Sequence, residues 1–520
     1  MISNQSYILS IDQGTTGTTC ALVNSNDFSF VGKVTTEFAQ HFPCPGEVEH
    51  HLDDIWASVR SSTLELLKKY SVDGKQIITI GITNQRETVA AFNKKGNGLM
   101  PAIVWQDRRT TDYCQQLVKE GRGPWVQQKT GLTIDPYFSA TKILWALKNN
   151  LQVQRGLNNQ DLFFGTIDTF LLYKLTSGKS YFTDVTNASR YLLMNIKTGE
   201  WDNDLLDFFA INTKILPVIN DTFSDFGKTA GVGFLPDGIP ISCLMGDQQS
   251  ALLGQGGIDR GDVKCTYGTG AFLLMNTGED LVYSNSGLLT TVAYRHKNKI
   301  QYALEGSSYI AGAAVQWMRD QLVLFKNSSD IEALAHQVRD LQEMEHILFL
   351  PFFTGIGSPY WKSDAKGAIV GITRDTQMSH LSRACLEGIA LSINDLLTAF
   401  TTDLSKGISV SSTTVTANTM NNGSTLYALT VDGGASSNNL LMEIQANISD
   451  LPIVRPEVTE TTAYGAALGA AIGLGILKLS ETKKFWREER RFFPSSDPRT
   501  KTFYKNKIKQ WNDVIKKLYL

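Results

Sequence analysis

The sequence predicts an α/β protein of two domains with a similar plan, each a mixed sheet flanked by helices. Two observations carry that prediction. At 520 residues the chain is too long for one ordinary hydrophobic core. A strand, a Gly/Thr turn and a returning strand also occur near the start and again half a chain later. In the first copy Tyr7-Ile-Leu-Ser-Ile11 is the strand, Asp12-Gln-Gly-Thr-Thr-Gly-Thr18 the turn and Cys20-Ala-Leu-Val23 the return. In the second, Asp262-Val-Lys-Cys-Thr266 leads into Tyr267-Gly-Thr-Gly270, and Ala271-Phe-Leu-Leu-Met275 returns. The boundary is expected near residues 254–261, giving domains 1–255 and 256–520.

Further strands are expected at 77–82 and 426–431, and amphipathic helices at 52–70 and 380–400. The small apolar run 463–477 is too short to span a bilayer and predicts a buried helix. Residues 406–425, crowded with Ser, Thr, Asn and Gly, read as a surface insertion. The basic stretch 483–499 reads as a solvated C-terminal region packing a few rings.

Composition excludes several classes of function. With 42% hydrophobic and 19% charged residues and a formal net charge of -2, the chain lacks the basic surplus of a nucleic-acid binder. It also lacks the polar excess of a disordered protein. Anionic substrates must be held by local features. Six scattered cysteines without a CxxC pair predict reduced thiols and no zinc site. The polar start, residues 1–6, has no signal-peptide character. A cytoplasmic protein without a membrane span is expected.

Some fragments mislead. Ser177-Gly-Lys-Ser180 contains GKS, but a P-loop needs Gly at position 173, which is Tyr. A turn between two strand-like runs is expected there. Asp225-Phe-Gly227 lacks the other protein-kinase signatures. His50 and His51 are expected to be surface residues, not metal ligands.

Other fragments carry chemistry. Phosphoryl transfer needs donors for phosphates, a carboxylate for Mg²⁺, a base and accurate positioning. In Asp12-Gln-Gly-Thr15-Thr16 the glycine admits phosphates, the threonines donate and Asp12 is the metal candidate. Gly268 and Thr269 repeat those donors in the second turn. Arg86 and Glu87, after the strand at 77–82, read either as a surface ion pair or as donor and acceptor for adjacent hydroxyls. Trp105 is core or an aromatic wall, and Tyr137 offers a phenol to cap a hydroxyl. In Gly246-Asp247-Gln248-Gln249, Asp247 opens a helix after a strand. It is a cap or a general base, and the two roles are compatible.

Taken together, these motifs resemble the FGGY carbohydrate kinases, of the sugar kinase/Hsp70/actin superfamily, almost end to end. The resemblance is carried by Gly81-Ile-Thr-Asn-Gln-Arg-Glu-Thr88, Gly165-Thr-Ile-Asp168, Thr183-Asp-Val-Thr-Asn-Ala-Ser-Arg190, Gly246-Asp-Gln-Gln249, Leu304-Glu-Gly306, residues 351–361 and Asp432-Gly-Gly-Ala-Ser-Ser-Asn-Asn439. Arg86, Glu87, Trp105, Tyr137, Asp247 and Gln248 point within that family to the members that phosphorylate glycerol. The resemblance implies two ribonuclease-H-like (actin-like ATPase) domains with ATP and glycerol in the cleft between them. It implies that Arg86, Glu87, Tyr137, Asp247 and Gln248 bind glycerol hydroxyls, with Trp105 and Phe272 over the carbon chain. Asp247 would be the base and Asp12 would hold Mg²⁺. Thr15, Thr16 and Thr269 would contact phosphates, and Gly312, Gln316, Gly434, Ala435 and Asn438 would line the nucleotide pocket. A homodimer or homotetramer is expected.

There are departures from the family pattern. Thr18-Thr19 stands where relatives carry Ser-Arg, removing one basic phosphate contact. The Gly-rich stretch 231–238 lacks the Arg with which many relatives bind fructose 1,6-bisphosphate, so weak or absent inhibition by that sugar is expected. A kinase for another polyol or ketose, or an acceptor-independent ATPase module, would share part of this motif set.

Overall fold

The computed structural model describes residues 5–362, 364–407 and 426–520. The first Gly/Thr turn closes the hairpin that its residues predict. Strands β1 (Tyr7–Gln13) and β2 (Gly17–Asn24) are antiparallel, with Asp12 opposite Thr19. β3 (Phe30–Glu37) extends one side, while β4 (Ile77–Asn84) and β5 (Ile241–Gly246) add in parallel on the other. The order is β5-β4-β1-β2-β3. Side chains alternate across β1. Leu9 and Ile11 pack in the core shared with Ile55, Val59 and Leu66 of α1 (Leu52–Lys69), while Ile8 points to the opposite core.

The second hairpin, β6 (Val263–Tyr267) and β7 (Ala271–Gly278), starts a seven-stranded sheet. Its other strands are β8 (Leu289–His296), β9 (Lys299–Ser308), β10 (Leu429–Asp432), β11 (Ile453–Pro456) and β12 (Glu488–Phe492), in the order β8-β9-β7-β6-β10-β11-β12. The inner strands β9-β7-β6-β10-β11 repeat the directions of the first sheet, antiparallel on one side of the founding strand and parallel on the other. The similarity read from two turns therefore extends to two complete ribonuclease-H-like sheets.

Helix α2 (Asp247–Gly254) follows β5, and α3 (Gly312–Asp320) follows β9. Helix α4 (Met378–Gly407) and α5 (Asn439–Ser449) fill the second core. The segment Met378–Leu404 of α4 is long and apolar enough to cross a membrane, but 78% of its window is buried, so it is a core helix here.

One helix joins the two halves. α6 (Thr461–Leu474), the helix expected at 463–477, comes from the second half yet packs on β1, β4, β5 and α2 of the first. Gly465, Gly469 and Gly473, spaced four residues apart, form a stripe that allows this approach. Cβ atoms there would run into the Ser250 carbonyl, Cys243 Sγ and the Ser242 carbonyl. Ala at a helical Gly normally adds about 1 kcal/mol of stability. Gly465→Ala is expected to do the reverse, lowering the thermal midpoint, because the obstructing atom is backbone.

Three expectations need correction. Residues 483–499 are more than a solvated tail: β12 pairs with β11 as the sheet edge, its outer charges exposed and Phe492 buried, and α7 (Pro498–Leu518) begins within the stretch. The GKS turn follows the helix Ile167–Leu175, not a strand. His50 is fully buried, bonding Gln40 at 2.7 Å and Gln85 at 3.3 Å, and burial pulls its ring down to about 4. The insertion at 406–425 lies, from residue 408 on, outside the described residues.

Candidate active site

Each Gly/Thr turn is closed by the amide of its first glycine, the second turn being one residue tighter. Gly14 N donates to Gly17 O at 2.9 Å, and Gly268 N to Gly270 O at 2.8 Å. Thr15 Oγ1 accepts from Trp105 Nε1 at 2.9 Å, whereas Thr16 is exposed. The start of α3 docks on the second turn: Thr269 O accepts from Ala311 N and Ala313 N, and Gly268 O from Gly312 N at 3.0 Å. Gly312 is needed because a Cβ there would lie 2.7 Å from Gly268 O, with Ala435 Cβ 3.9 Å away. Gly434 adjoins open space, and Gln316 is exposed on α3. Asn438 caps α5, accepting from Leu441 N at 2.9 Å.

A cavity of ≈ 510 Å³ opens here, lined among others by Asp12, Thr266, Asp432, Gly434, Arg455 and Glu460. Burial, together with the Asp247 and Glu460 carboxylates, holds the Asp12 carboxyl well above its usual range. Asp432 Oδ2 accepts from Gln255 and Thr461, but its buried Oδ1 has no partner. An excess of carboxylate with an orphaned oxygen fits a hard cation. Among the described residues no three His, Cys, Asp or Glu side chains converge as a cage. A magnesium ion would thus need phosphate and water oxygens as well. Thr19 bonds Thr35 at 2.8 Å. Lys33, opposite Ala21 on the same sheet, pairs with Glu460 and lowers the Asp12 carboxyl.

Beside this cavity, β4 ends in Asn84 and delivers Arg86 and Glu87 into the interior, 2% and 1% exposed. They are not a surface pair. Arg86 binds Glu305 through both terminal nitrogens, at 2.5 and 3.0 Å, and its Nε lies 3.1 Å from Asp247 Oδ1. That Nε makes no hydrogen bond and remains a free donor. Arg190 binds Glu87 at 2.6 Å and Glu305 at 2.9 Å. Burial alone would raise the Glu305 carboxyl, but Arg190 and Arg86 outweigh it and hold it at about 2. Glu87 is left higher than usual, because burial exceeds the pull of Arg190 and Arg86. Its φ of 59° is left-handed, a strained conformation for glutamate. Ser139 Oγ at 3.1 Å and Lys142 Nζ at 3.3 Å hold its carbonyl.

Trp105 forms the wall, edge-on to Tyr137 at 5.7 Å and to Phe272 at 6.0 Å. Asp247 is the first residue of α2, with Gly246 in the cap position, and its Oδ1 accepts from Gln248 N of the first turn at 2.7 Å. Asp247 is 30% exposed at the side chain, and Gln248 accepts from the buried Lys264. All seven acceptor-site candidates thus meet in one cluster that reaches both turns through Thr15 and Phe272.

Arg190, Glu305, Lys264, Lys142 and Asp432 were missed as individual site residues. One signal was available: a lone charge between apolar neighbours, as in Leu304-Glu-Gly306, requires a buried partner.

The family model described as "FGGY family of carbohydrate kinases, N-terminal domain" matches residues 7–254, and the corresponding C-terminal model matches residues 263–474. A glycerol kinase of Bdellovibrio bacteriovorus is 45% identical over 516 residues, covering 99% of both chains. One of Myxococcus xanthus is 45% identical over 95% of this chain and 96% of its own. The crystal structure of Plasmodium falciparum glycerol kinase with ADP superposes with a TM-score of 0.86 at 34% identity, covering 99% of both chains.

Proposed function

The chain belongs to the FGGY family of carbohydrate kinases, and from that premise we infer that it transfers the γ-phosphoryl group of ATP to a terminal hydroxyl of glycerol. The products are sn-glycerol 3-phosphate and ADP. The observation that carries the reading is the acceptor cluster: an aromatic wall of Trp105, Tyr137 and Phe272 beside the Arg86–Asp247 pair, between the two phosphate turns. A small polyol needs such a mixture of apolar wall, donor and acceptor.

In this reading Arg86 Nε donates to a glycerol hydroxyl, and Glu87, Tyr137 and Gln248 engage the others. Asp247 takes the proton of the attacking hydroxyl as its oxygen bonds to the γ-phosphorus. The bond from that phosphorus to the bridging oxygen breaks, and ADP leaves. Thr15, Thr16, Gly268 and Thr269 face the phosphates, while Gly312, Gln316, Gly434, Ala435 and Asn438 line the nucleotide pocket. Asp12 would hold Mg²⁺, which offsets phosphate charge when bound. The unpaired cysteines support action in the cytoplasm.

The test is ADP release from Mg·ATP with glycerol, dihydroxyacetone, xylulose, ribulose, gluconate or no acceptor. Turnover strongest with glycerol and small without acceptor is expected. Preference for a pentulose would overturn the substrate, and indifference to the acceptor would overturn the transfer itself.

A further inference from the structure

We propose that Lys264 is a positioning residue for the transfer, tying the acceptor site to the second phosphate turn and setting how the acceptor hydroxyl approaches the γ-phosphoryl group. This rests on the glycerol kinase reading above.

Lys264 lies on β6 just before Tyr267-Gly-Thr-Gly270, and it is fully buried. Its Nζ donates to the Gln248 side-chain oxygen, to Thr266 Oγ1 at 2.8 Å and to the Phe272 carbonyl at 3.3 Å. An ammonium has three N–H bonds, and here each finds an acceptor. The acceptors come from distinct parts of the site. Gln248 is on α2, beside Asp247, while Thr266 and Phe272 face each other across the strands that flank the turn. A single group thus fixes a substrate-binding amide, a wall residue and the base of a phosphate turn.

Stability alone does not account for a charge here. Its three hydrogen-bond acceptors are all neutral, and burial outweighs the attraction of Asp432 and Asp247 and holds the ammonium below the usual lysine range. An apolar side chain of similar volume commonly serves a core as well or better. The ammonium instead joins the acceptor cluster to the strands of the second phosphate turn, and in a transfer site a misplacement of about 1 Å costs ~10²-fold in rate.

Lys264→Met keeps the length and removes all three bonds. With glycerol as acceptor, kcat is expected to fall by about 10–10²-fold and the glycerol KM to rise. The ATP KM should stay unchanged, and the share of ATP hydrolysed without transfer should increase. Thr266→Val removes one bond and keeps the charge, so the same pattern is expected at smaller size. Wild-type protein inactive on glycerol would defeat the function reading before this one is reached. Active wild type with Lys264→Met matching its kcat and glycerol KM would overturn the positioning role. So would a variant whose glycerol and ATP affinities fall together with its melting temperature. If Lys264→Met does not fold, Thr266→Val decides, and an unchanged glycerol kcat/KM there overturns the proposal.

Discussion

Asp247→Asn is expected to reduce kcat by about 10²–10⁴-fold while glycerol still binds. The amide keeps the shape of the side chain and an oxygen facing Arg86 Nε, 3.1 Å away in the parent, but it cannot take up a proton. Binding is followed by calorimetric titration with glycerol. Turnover is followed through ADP release. A near-normal kcat would remove Asp247 from the base role. Loss of glycerol binding with kcat preserved at saturation would make it a binding residue only.

The largest effect on stability is expected from Glu305→Gln. Glu305 is fully buried and receives both Arg86 and Arg190, while Glu87 pairs with Arg190 alone. Neutralising it leaves Arg190 with Glu87 and the buried Arg86 with only the partly exposed Asp247. Breaking a buried ion pair from one side costs about 3–5 kcal/mol. Arg190 Nη1 already lacks a partner, so no spare acceptor stands ready. Chemical denaturation at neutral pH measures the loss, and a midpoint shift corresponding to under about 1 kcal/mol would show that the network relaxes freely.

The same residue predicts an acid limb. Its folded-state value, about 2, is below the ordinary 4.5, so its contribution to stability is full above pH 4.5 and is lost as pH falls toward 2. Glu305→Gln should flatten the stability profile in that window, and an unchanged profile would mean that other carboxylates dominate it.

Much of the architecture was legible because its signals are local. The hairpin at Asp12 follows from a few apolar residues, then Gly and Thr, then apolar residues again. Its structural register, Ile11 opposite Cys20, closes where the turn requires. Asp247 opening a helix after an apolar strand is equally local. Six of the seven acceptor-site candidates stand in short motifs, and Phe272 entered only through the family resemblance.

His50 was misread because its burial depends on Gln40 and Gln85 arriving from other strands and loops, and a pair of histidines carries no trace of that. The helix at α6 was visible as a run of small apolar residues. Its destination was not: contact with β1, β4 and β5 depends on the chain returning after the whole second sheet has formed.

By itself the sequence determined the two repeated hairpins, the α/β pattern, the helix that Asp247 opens and the chemical types available for transfer. These follow from periodicity and turn chemistry within a few residues. Only the tertiary structure decided which charges face one another: Glu305 between Arg86 and Arg190, Lys264 under Gln248, and Asp432 with an oxygen left over. Arg86 and Glu305 stand 219 residues apart, and even Gln248 and Lys264, 16 apart, meet only where α2 packs against β6. Burial then makes pairing obligatory, because an unmatched charge without water is far less stable than one in solution.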